Sequence, residues 1–520
     1  MHPLWLANQD PATAWAHQTW SDLAARPNKD GTLVVLPVHG FADHGFGLPF
    51  DVEESVGAAL LRAALSAGAL QPHLLVLPPL RFGAAPYTHC RFGVDLETAL
   101  DTLGELAASV QAAGFPRLLF LNTSPWNAEV VATAAIDART ALNLRTYVIG
   151  TTALGLGFHP ADPLRAQTQA VAVRLLGRAP APNVAAAEVR DGDFRPGFFG
   201  QPAAVKPDPA FDGAALFSAA ARKLAGLLGE IVQHEVGGSG SGTARGLPPV
   251  AAEVALPAAA EASVCGFGGS GARTLMGLTA AELAALPDKA RALVIVPTGA
   301  IEQHGHHLPL GTDAFLGRLW LTHALPRLAA DAPVWVAPAI TFGKSNEHLG
   351  FAGTVTISAR TLRRQLLALA TELKSLGFRQ LAVLNTHGGN TPTVVATLRE
   401  IQTSLGLRAG MLSGYYVPEQ TPQEAAFGFH AGEWETSLML AGAPEWVRMD
   451  RAVCEYPAQL DAPGGLRPEG GVAVFAWKSA DISKSGVMGD ATRATVEKGG
   501  RWLDEASAAL ARKIEALLAG

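Results

Sequence analysis

Cysteine, charge and long apolar runs are all scarce in this sequence, and each shortage excludes something. Only three cysteines, Cys90, Cys265 and Cys454, occur among 520 residues. Three scattered thiols cannot build a disulfide framework, so a reducing, cytoplasmic setting is expected. Charged residues make up 17%, and 40 Lys and Arg stand against 46 Asp and Glu, a formal charge of −6. Without a basic surplus there is no counterion-releasing surface, and no nucleic-acid partner is expected. No apolar run approaches the roughly 20 residues of a membrane span. The opening MHPLWLANQD lacks the basic and apolar regions of a signal peptide, so no membrane partner is expected either.

What the sequence does hold is length and apolar material. Hydrophobic residues make up 48% and the mean hydropathy is +0.19, ample for large cores and incompatible with global disorder. The chain is also too long for one ordinary domain. Its clearest break is VGGSGSG at 236–242, followed by an Ala/Pro/Gly-rich stretch to about Gly271. Such sequence buries too little apolar surface to fix one conformation and reads as a flexible connection, and its GGSGSG core also fits an inserted expression linker. The expected organisation is therefore residues 1–235, a linker at 236–272, and residues 273–520.

Both halves alternate short β-branched runs with longer Ala/Leu-rich amphipathic segments, the pattern of an α/β fold with a mainly parallel sheet. Strands are expected at 32–37, 74–78, 117–122 and 144–149, and again at 292–297, 334–338, 380–385 and 407–413. Helices are expected at 55–67, 96–113 and 128–142, and again at 316–328, 359–376 and 393–405. The repeat is visible in the letters. Pro37–Pro49 reads PVHGFADHGFGLP, and 260 positions further on Pro297–Pro309 reads PTGAIEQHGHHLP. LLFLNTSPWN, ending at Asn127, likewise matches LAVLNTHGGN, ending at Asn390. This predicts a tandem duplication of one α/β domain.

The chemistry concentrates in the second copy. Glu302, His304 and Asp313 follow a strand directly, and loops at the carboxyl ends of such strands form the binding crevice. Two residues apart in extended chain, Glu302 and His304 point to one side. His387 arrives at the end of the next such strand, in THGGN. In FHAGEWETS, helical spacing puts His430 and Glu433 on one face and rotates Glu435 away. Glu433 is then the expected ligand, and Glu435 the residue behind it. Glu302, His304, Asp313, His387 and Glu433 are mixed carboxylate and imidazole donors suited to Zn²⁺ or Mn²⁺, and five of them hold two ions if one carboxylate bridges. His306 reads as a bystander, His307 as loop support and His348 as pocket lining.

These motifs, Glu302-Gln303-His304-Gly305 with His307-Leu308-Pro309 and Asp313, then Asn385-Thr386-His387-Gly388-Gly389-Asn390, then His430-Ala431-Gly432-Glu433 with Glu435-Thr436-Ser437, resemble the creatininase (creatinine amidohydrolase) family. The resemblance runs from about Thr274 to Leu440, and Gly343, Ser345, His348 and Gly353-Thr354 resemble the family's pocket loop. It implies two three-layer α/β/α domains and a dinuclear centre of zinc or manganese, with iron as the alternative, that hydrolyses small C–N amide bonds. Asp313 would bridge the ions, Glu302 and His387 would complete one site, and His304 with Glu433 the other. His430 matches the family's catalytic histidine, a general acid and base for the leaving nitrogen. Creatininase itself has a metal-binding Glu at the position of Gly389. The missing carboxylate is expected from Glu433, and the HGGN form, with Gly388 and Gly389, resembles relatives acting on formamides, other cyclic amides or peptide ends.

Carried back to the first half, Glu302 falls on Ala42, His304 on His44, Asp313 on Glu53 and His387 on Ser124, with Ala166 and Gln169 where His430 and Glu433 stand. The first half therefore reads as a degenerate, non-catalytic copy that pairs with the second within the chain, in a homo-oligomer. The expected function is a metal-dependent amidohydrolase acting on a small-molecule amide. The alternatives are a metallopeptidase trimming a short peptide end and a metal-containing binding protein without turnover.

Overall fold

The computed structural model describes residues 11–45, 47–84, 90–159, 162, 164–177, 212–234, 249–256, 273–412, 416, 418–457, 466–469 and 473–519. In the first half the principal elements are α1 (Trp20–Ala25), β1 (Leu33–His39), α2 (Val52–Gly68), β2 (Leu74–Val76), α3 (Leu96–Ala112), β3 (Arg117–Asn122), α4 (Ala128–Ala141), β4 (Arg145–Gly150), α5 (Arg165–Leu176) and α6 (Gly213–Gln233). In the second they are α7 (Ala280–Ala285), β5 (Leu293–Thr298), α8 (Thr312–Ala324), β6 (Val334–Val336), α9 (Ala359–Ser375), β7 (Gln380–Asn385), α10 (Thr391–Glu400), β8 (Arg408–Leu412), α11 (Glu433–Gly442) and α12 (Val496–Ala519).

The two sheets share one topology. Their parallel strands run in the orders β2-β1-β3-β4 and β6-β5-β7-β8. The correspondence extends to detail, since Val38 pairs with Leu80 in the first half as Thr298 bridges to Ile340 in the second. Even the helix starts repeat. Thr19 and Asp22 form a capping box on α1, and Thr279 and Glu282 form the same box on α7, each satisfying two otherwise orphaned backbone donors.

Strand alternation assigns the cores. Val34, Leu36 and Val38 on β1, with Val294 and Val296 on β5, point into one core common to both halves. Leu33 and Val35 face a separate core against α2, α5 and α6, and Leu293 and Ile295 one covered by α8 and α12. Each half is thus an α/β/α sandwich, and the inner helices meet. Arg360 and Arg364 of α9 pair with Asp101 of α3, and Gln365 donates to Thr102. Among the described residues no helix is long and apolar enough to cross a membrane.

The halves also exchange backbone hydrogen bonds reciprocally. Leu310 and Gly311 donate to the carbonyls of Gln18 and Ala16, both at 2.9 Å, while Phe50 and Asp51 donate to those of Leu278 and Met276 at 3.1 and 3.2 Å. Every partner lies 260 residues from its counterpart, so this is the isologous contact of a two-fold dimer, written within one chain.

Part of the expected linker is anchored. Within 236–272, residues 249–256 lie on the first half, with Ala251 donating to the Ala67 carbonyl and Val254 to the Ser218 hydroxyl. Val250, Val254 and Leu256 give this piece enough apolar surface to pack on the core beneath. Residues 236–248 and 257–272, GGSGSG included, lie outside the described residues.

Two outcomes follow for stability. Trp15 is fully buried in the common core, with its indole N–H donated to the Gly353 carbonyl of the other half at 2.9 Å. Trp15→Ala is expected to cost about 3–5 kcal/mol, read as a lower calorimetric midpoint for both halves together. His39, buried with its Nδ1 2.6 Å from the Thr123 hydroxyl, is driven by burial from 6.5 down to about 4. Between those values the unfolded chain binds more protons, so stability falls as pH drops through this window, by ~1 kcal/mol per pH unit. Denaturant titrations of His39→Asn at pH 7 and pH 4.5 should show a smaller loss than those of the parent.

Candidate metal centre

Three segments converge beyond the carboxyl ends of β5 and β7. Glu302 and His304 lie in the loop after β5, which is drawn tight by Glu302 N–H donating to the Leu310 carbonyl and by a bridge between His304 and Leu308. Asp313 stands in the first turn of α8 and His387 in the turn after β7. The third segment, 430–435, enters α11 after His430 bridges to Met488.

The side chains of these segments meet. His387 Nδ1 lies 3.1 Å from Glu302 Oε2 and 3.4 Å from Asp313 Oδ2. His304 Nε2 lies 3.3 Å from Asp313 Oδ1 and 3.9 Å from Glu435 Oε2. Two donor triads with geometry for a cation result, Glu302, Asp313 and His387, and His304, Asp313 and Glu435; a third joins Glu302, His304 and His430. Each imidazole is aimed by its far nitrogen, a device that fixes ligand orientation. His304 Nδ1 donates to the Glu302 carbonyl, His387 Nε2 to that of Lys344, and His430 Nε2 to that of Gln303.

The electrostatics fit a cation. Glu302 Oε2, His304 Nε2 and Asp313 Oδ2 are buried without a hydrogen-bond partner, a costly condition unless something else satisfies them. Burial opposes charge on His304, yet the Asp313, Glu435 and Glu302 carboxylates push it up to about 10. His387 is likewise raised against its burial by Glu302 and Asp313, and Asp313 is held low, against its burial, by the two imidazoles. Burial raises Glu302, and lifts Glu435 to about 7. Burial and the other imidazoles hold His430 down to about 3 and His348 well below its ordinary range.

The expected order of Glu433 and Glu435 is reversed in space. Glu433 belongs to none of the triads; its carboxylate pairs with Lys498, while Glu435 turns inward and accepts from the Ala431 N–H at 2.5 Å. The reason is local. α11 begins only at Glu433, and Ala431 before it has φ of 53°, so His430 and Glu433 never share a helical face. The expected pocket residues surround the cluster. His348 Nε2 lies 3.4 Å from Glu302 Oε1, and the Ser345 hydroxyl 3.2 Å from His387 Nε2. His307 supports α11 through the Thr436 hydroxyl, at 2.8 Å.

Two neighbours of the cluster went unread in the sequence. Gln303 Nε2 donates to His348 Nδ1 and to the Gly486 carbonyl, each at 3.0 Å, and lies 3.0 Å from His430 Nε2. Glu347 pairs with Lys344 and reaches within 3.5 Å of His387 Nε2. No pattern in the sequence marks Glu347, which adjoins Gly389 only in space: a Cβ on Gly389 would lie 1.8 Å from Glu347 Oε1. In the first half, the His44 and Glu53 side chains pair at 2.9 Å, and Arg165 and Gln169 donate to the His44 carbonyl. Among the described residues, no donor triad lies there.

The family model described as creatininase, creatinine amidohydrolase, matches residues 16–174 and 276–514. The mycofactocin precursor peptide peptidase of Mycobacterium ulcerans (strain Agy99) is 35% identical over 213 residues, which cover 40% of this chain and 78% of that protein. The creatinine amidohydrolase of Pseudomonas putida is 30% identical over 227 residues, 40% of this chain and 82% of that one. A solved structure titled "Creatininase Mn" aligns with 27% identity and a TM-score of 0.39, covering 47% of this chain and 97% of that chain.

The two glycines should respond differently to a methyl group. At Gly389 it would also meet His387 Nε2 at 2.5 Å and the Lys344 carbonyl at 2.7 Å, whereas at Gly388 nothing stands within 4 Å. Gly389→Ala is expected to destabilise by about 1–3 kcal/mol and Gly388→Ala by about 0.5 kcal/mol or less, measured by denaturant titration.

Proposed function

The chain is a hydrolase of the creatininase family, and from that membership we propose that it cleaves an amide C–N bond with water activated at a pair of divalent metal ions, zinc or manganese. The observation that carries this reading is the position of Asp313, which belongs to two donor triads at once, with Glu302 and His387 on one side and His304 and Glu435 on the other. Offering one oxygen to each triad, the Asp313 carboxylate would hold two such ions close together. When bound, such ions lower the pKa of water to near neutrality and polarise a scissile carbonyl.

The chain's own groups supply the rest. Glu302, Asp313 and Glu435 bring negative charge into a buried space, and the imidazoles of His304 and His387 are locked with a nitrogen facing it. His430 presents Nδ1 to the cluster, 3.8 Å from Glu302 Oε1, while its Nε2 is committed to the Gln303 carbonyl. It is thus set to receive a proton at Nδ1 and pass it to the leaving nitrogen. Gln303 and His348 hold that ring in place.

For the substrate, a small cyclic amide or formamide is the first reading. The 35% identity to a peptide peptidase favours a second, release of a short peptide end by the same chemistry. Residues 1–235 act as a non-catalytic copy and 273–520 as the catalytic one.

Metal analysis of purified Asp313→Ala, Glu435→Gln and Glu433→Gln variants, followed by a screen against creatinine, hydantoins, lactams, formamides and short peptides, tests this reading. The parent should carry two ions per chain and Asp313→Ala neither. Glu435→Gln should lose one ion and roughly 100-fold or more in turnover, while Glu433→Gln keeps both. Equal metal content in all four proteins would refute the assignment.

A further inference from the structure

The reciprocal contact between the halves is symmetric in its backbone but not in its side chains. Segment 14–20, Ala-Trp-Ala-His-Gln-Thr-Trp, lies against the second half as segment 274–280, Thr-Leu-Met-Gly-Leu-Thr-Ala, lies against the first. Thr19 and Thr279 match, and the four exchanged hydrogen bonds match. The two indoles do not, because Trp15 corresponds to Leu275 and Trp20 to Ala280. Only the segment that faces the donor cluster carries N–H donors on its side chains.

Both indole N–H groups are used on loops that hold Gln303. Trp15 Nε1 donates to the Gly353 carbonyl at 2.9 Å, and the next residue, Thr354, accepts the Gln303 backbone N–H on its hydroxyl at 3.2 Å. Trp20 Nε1 donates to the Ser485 carbonyl at 3.0 Å, and the next residue, Gly486, accepts from the Gln303 side chain. Gly486 sits at φ +87°, where a Cβ would meet Gln303 Oε1 at 1.8 Å, so this loop can approach Gln303 only as glycine. The Trp20 ring also packs at a tilt against His306 at 4.6 Å and meets Phe351 edge-on at 5.0 Å. Gln303 in turn lies between Glu302 and His304 and holds His348 and His430.

We infer that Trp15 and Trp20 are positioning residues for the candidate metal centre, supplied by the half in which no donor triad lies among the described residues; this rests on the metal-dependent reading above. The first half then does more than fill volume. Its segment 14–20 straps the 302–313 loop through the Ala16 and Gln18 carbonyls, and its two indoles fix the loops on either side of Gln303. A merely packing role would have no reason to place both donors on the copy facing the cluster and neither on its mirror.

The test uses the full chain. Trp15→Phe and Trp20→Phe, singly and together, keep a ring and remove the donor, and Leu275→Ala disturbs the mirror segment. Hydrogen exchange on metal-free protein should show amides at 303–305 and 485–487 exchanging at least about tenfold faster in the Trp variants and unchanged in Leu275→Ala, even where the latter has the lower thermal midpoint. Mn²⁺ titration should then show about tenfold weaker binding in the double variant and parental binding in Leu275→Ala. Parental exchange at both loops in folded Trp variants would overturn the inference, as would the same acceleration in Leu275→Ala. If the double variant does not fold, Trp20→Phe alone decides, since that ring is only half-buried. A parent that takes up neither Mn²⁺ nor Zn²⁺ would sink the metal reading, and the exchange data would still judge the strap.

Discussion

Three carboxylates enclosed together, on Glu302, Asp313 and Glu435, set the terms for everything around them. Like charges removed from water are tolerable only when positive charge is brought to them, and the surrounding structure is organised to do that. His304 and His387 are aimed inward by backbone carbonyls, and both are raised by the acids they face. Around these, burial and the neighbouring imidazoles hold His430 and His348 low, so positive charge is favoured at the centre of the cluster over its edge. The loops that deliver these groups come from the carboxyl ends of parallel strands, where the fold leaves its crevice.

The duplicated architecture braces these loops. The 302–313 loop has two anchors, β5 at one end and segment 16–18 of the other half near the other. In the first half the equivalent loop is held in the same way by 276–278, yet it ends in the His44 and Glu53 pair, whose polar groups are satisfied locally. One fold thus appears with orphaned donor atoms on Glu302, His304 and Asp313 in one copy and a paired His44 and Glu53 in the other.

Much of this was legible because it is written in local pattern. The strands at 117–122 and 380–385 and the helix starting at Ala359 coincide with their apolar periodicity, and the repeat at 260 residues predicted two matching sheets. The family was readable from its motifs. What escaped depended on a turn or on distant chain. Spacing ranks Glu433 ahead of Glu435, the reverse of their placement beside His304 and Asp313, because the positive φ at Ala431 resets the helical phase between His430 and α11. Glu347 was invisible because its closeness to His387 depends on space left at Gly389. Residues 249–256 looked like linker since three apolar residues in an Ala/Pro context carry no periodic signal. Nothing in the letters marks Trp15 and Trp20, whose acceptors lie 338 and 465 residues away.

The reciprocal backbone exchange has a consequence for how such a protein behaves on dilution. Separate copies joined by this contact would part as their concentration falls, taking the brace of the 302–313 loop with them. Within one polypeptide the same contact is unimolecular, and the partner segment is present at an effective concentration fixed by the chain itself. The geometry around Asp313 is thereby uncoupled from how much protein is present, and each copy is free to change where its neighbour does not depend on it.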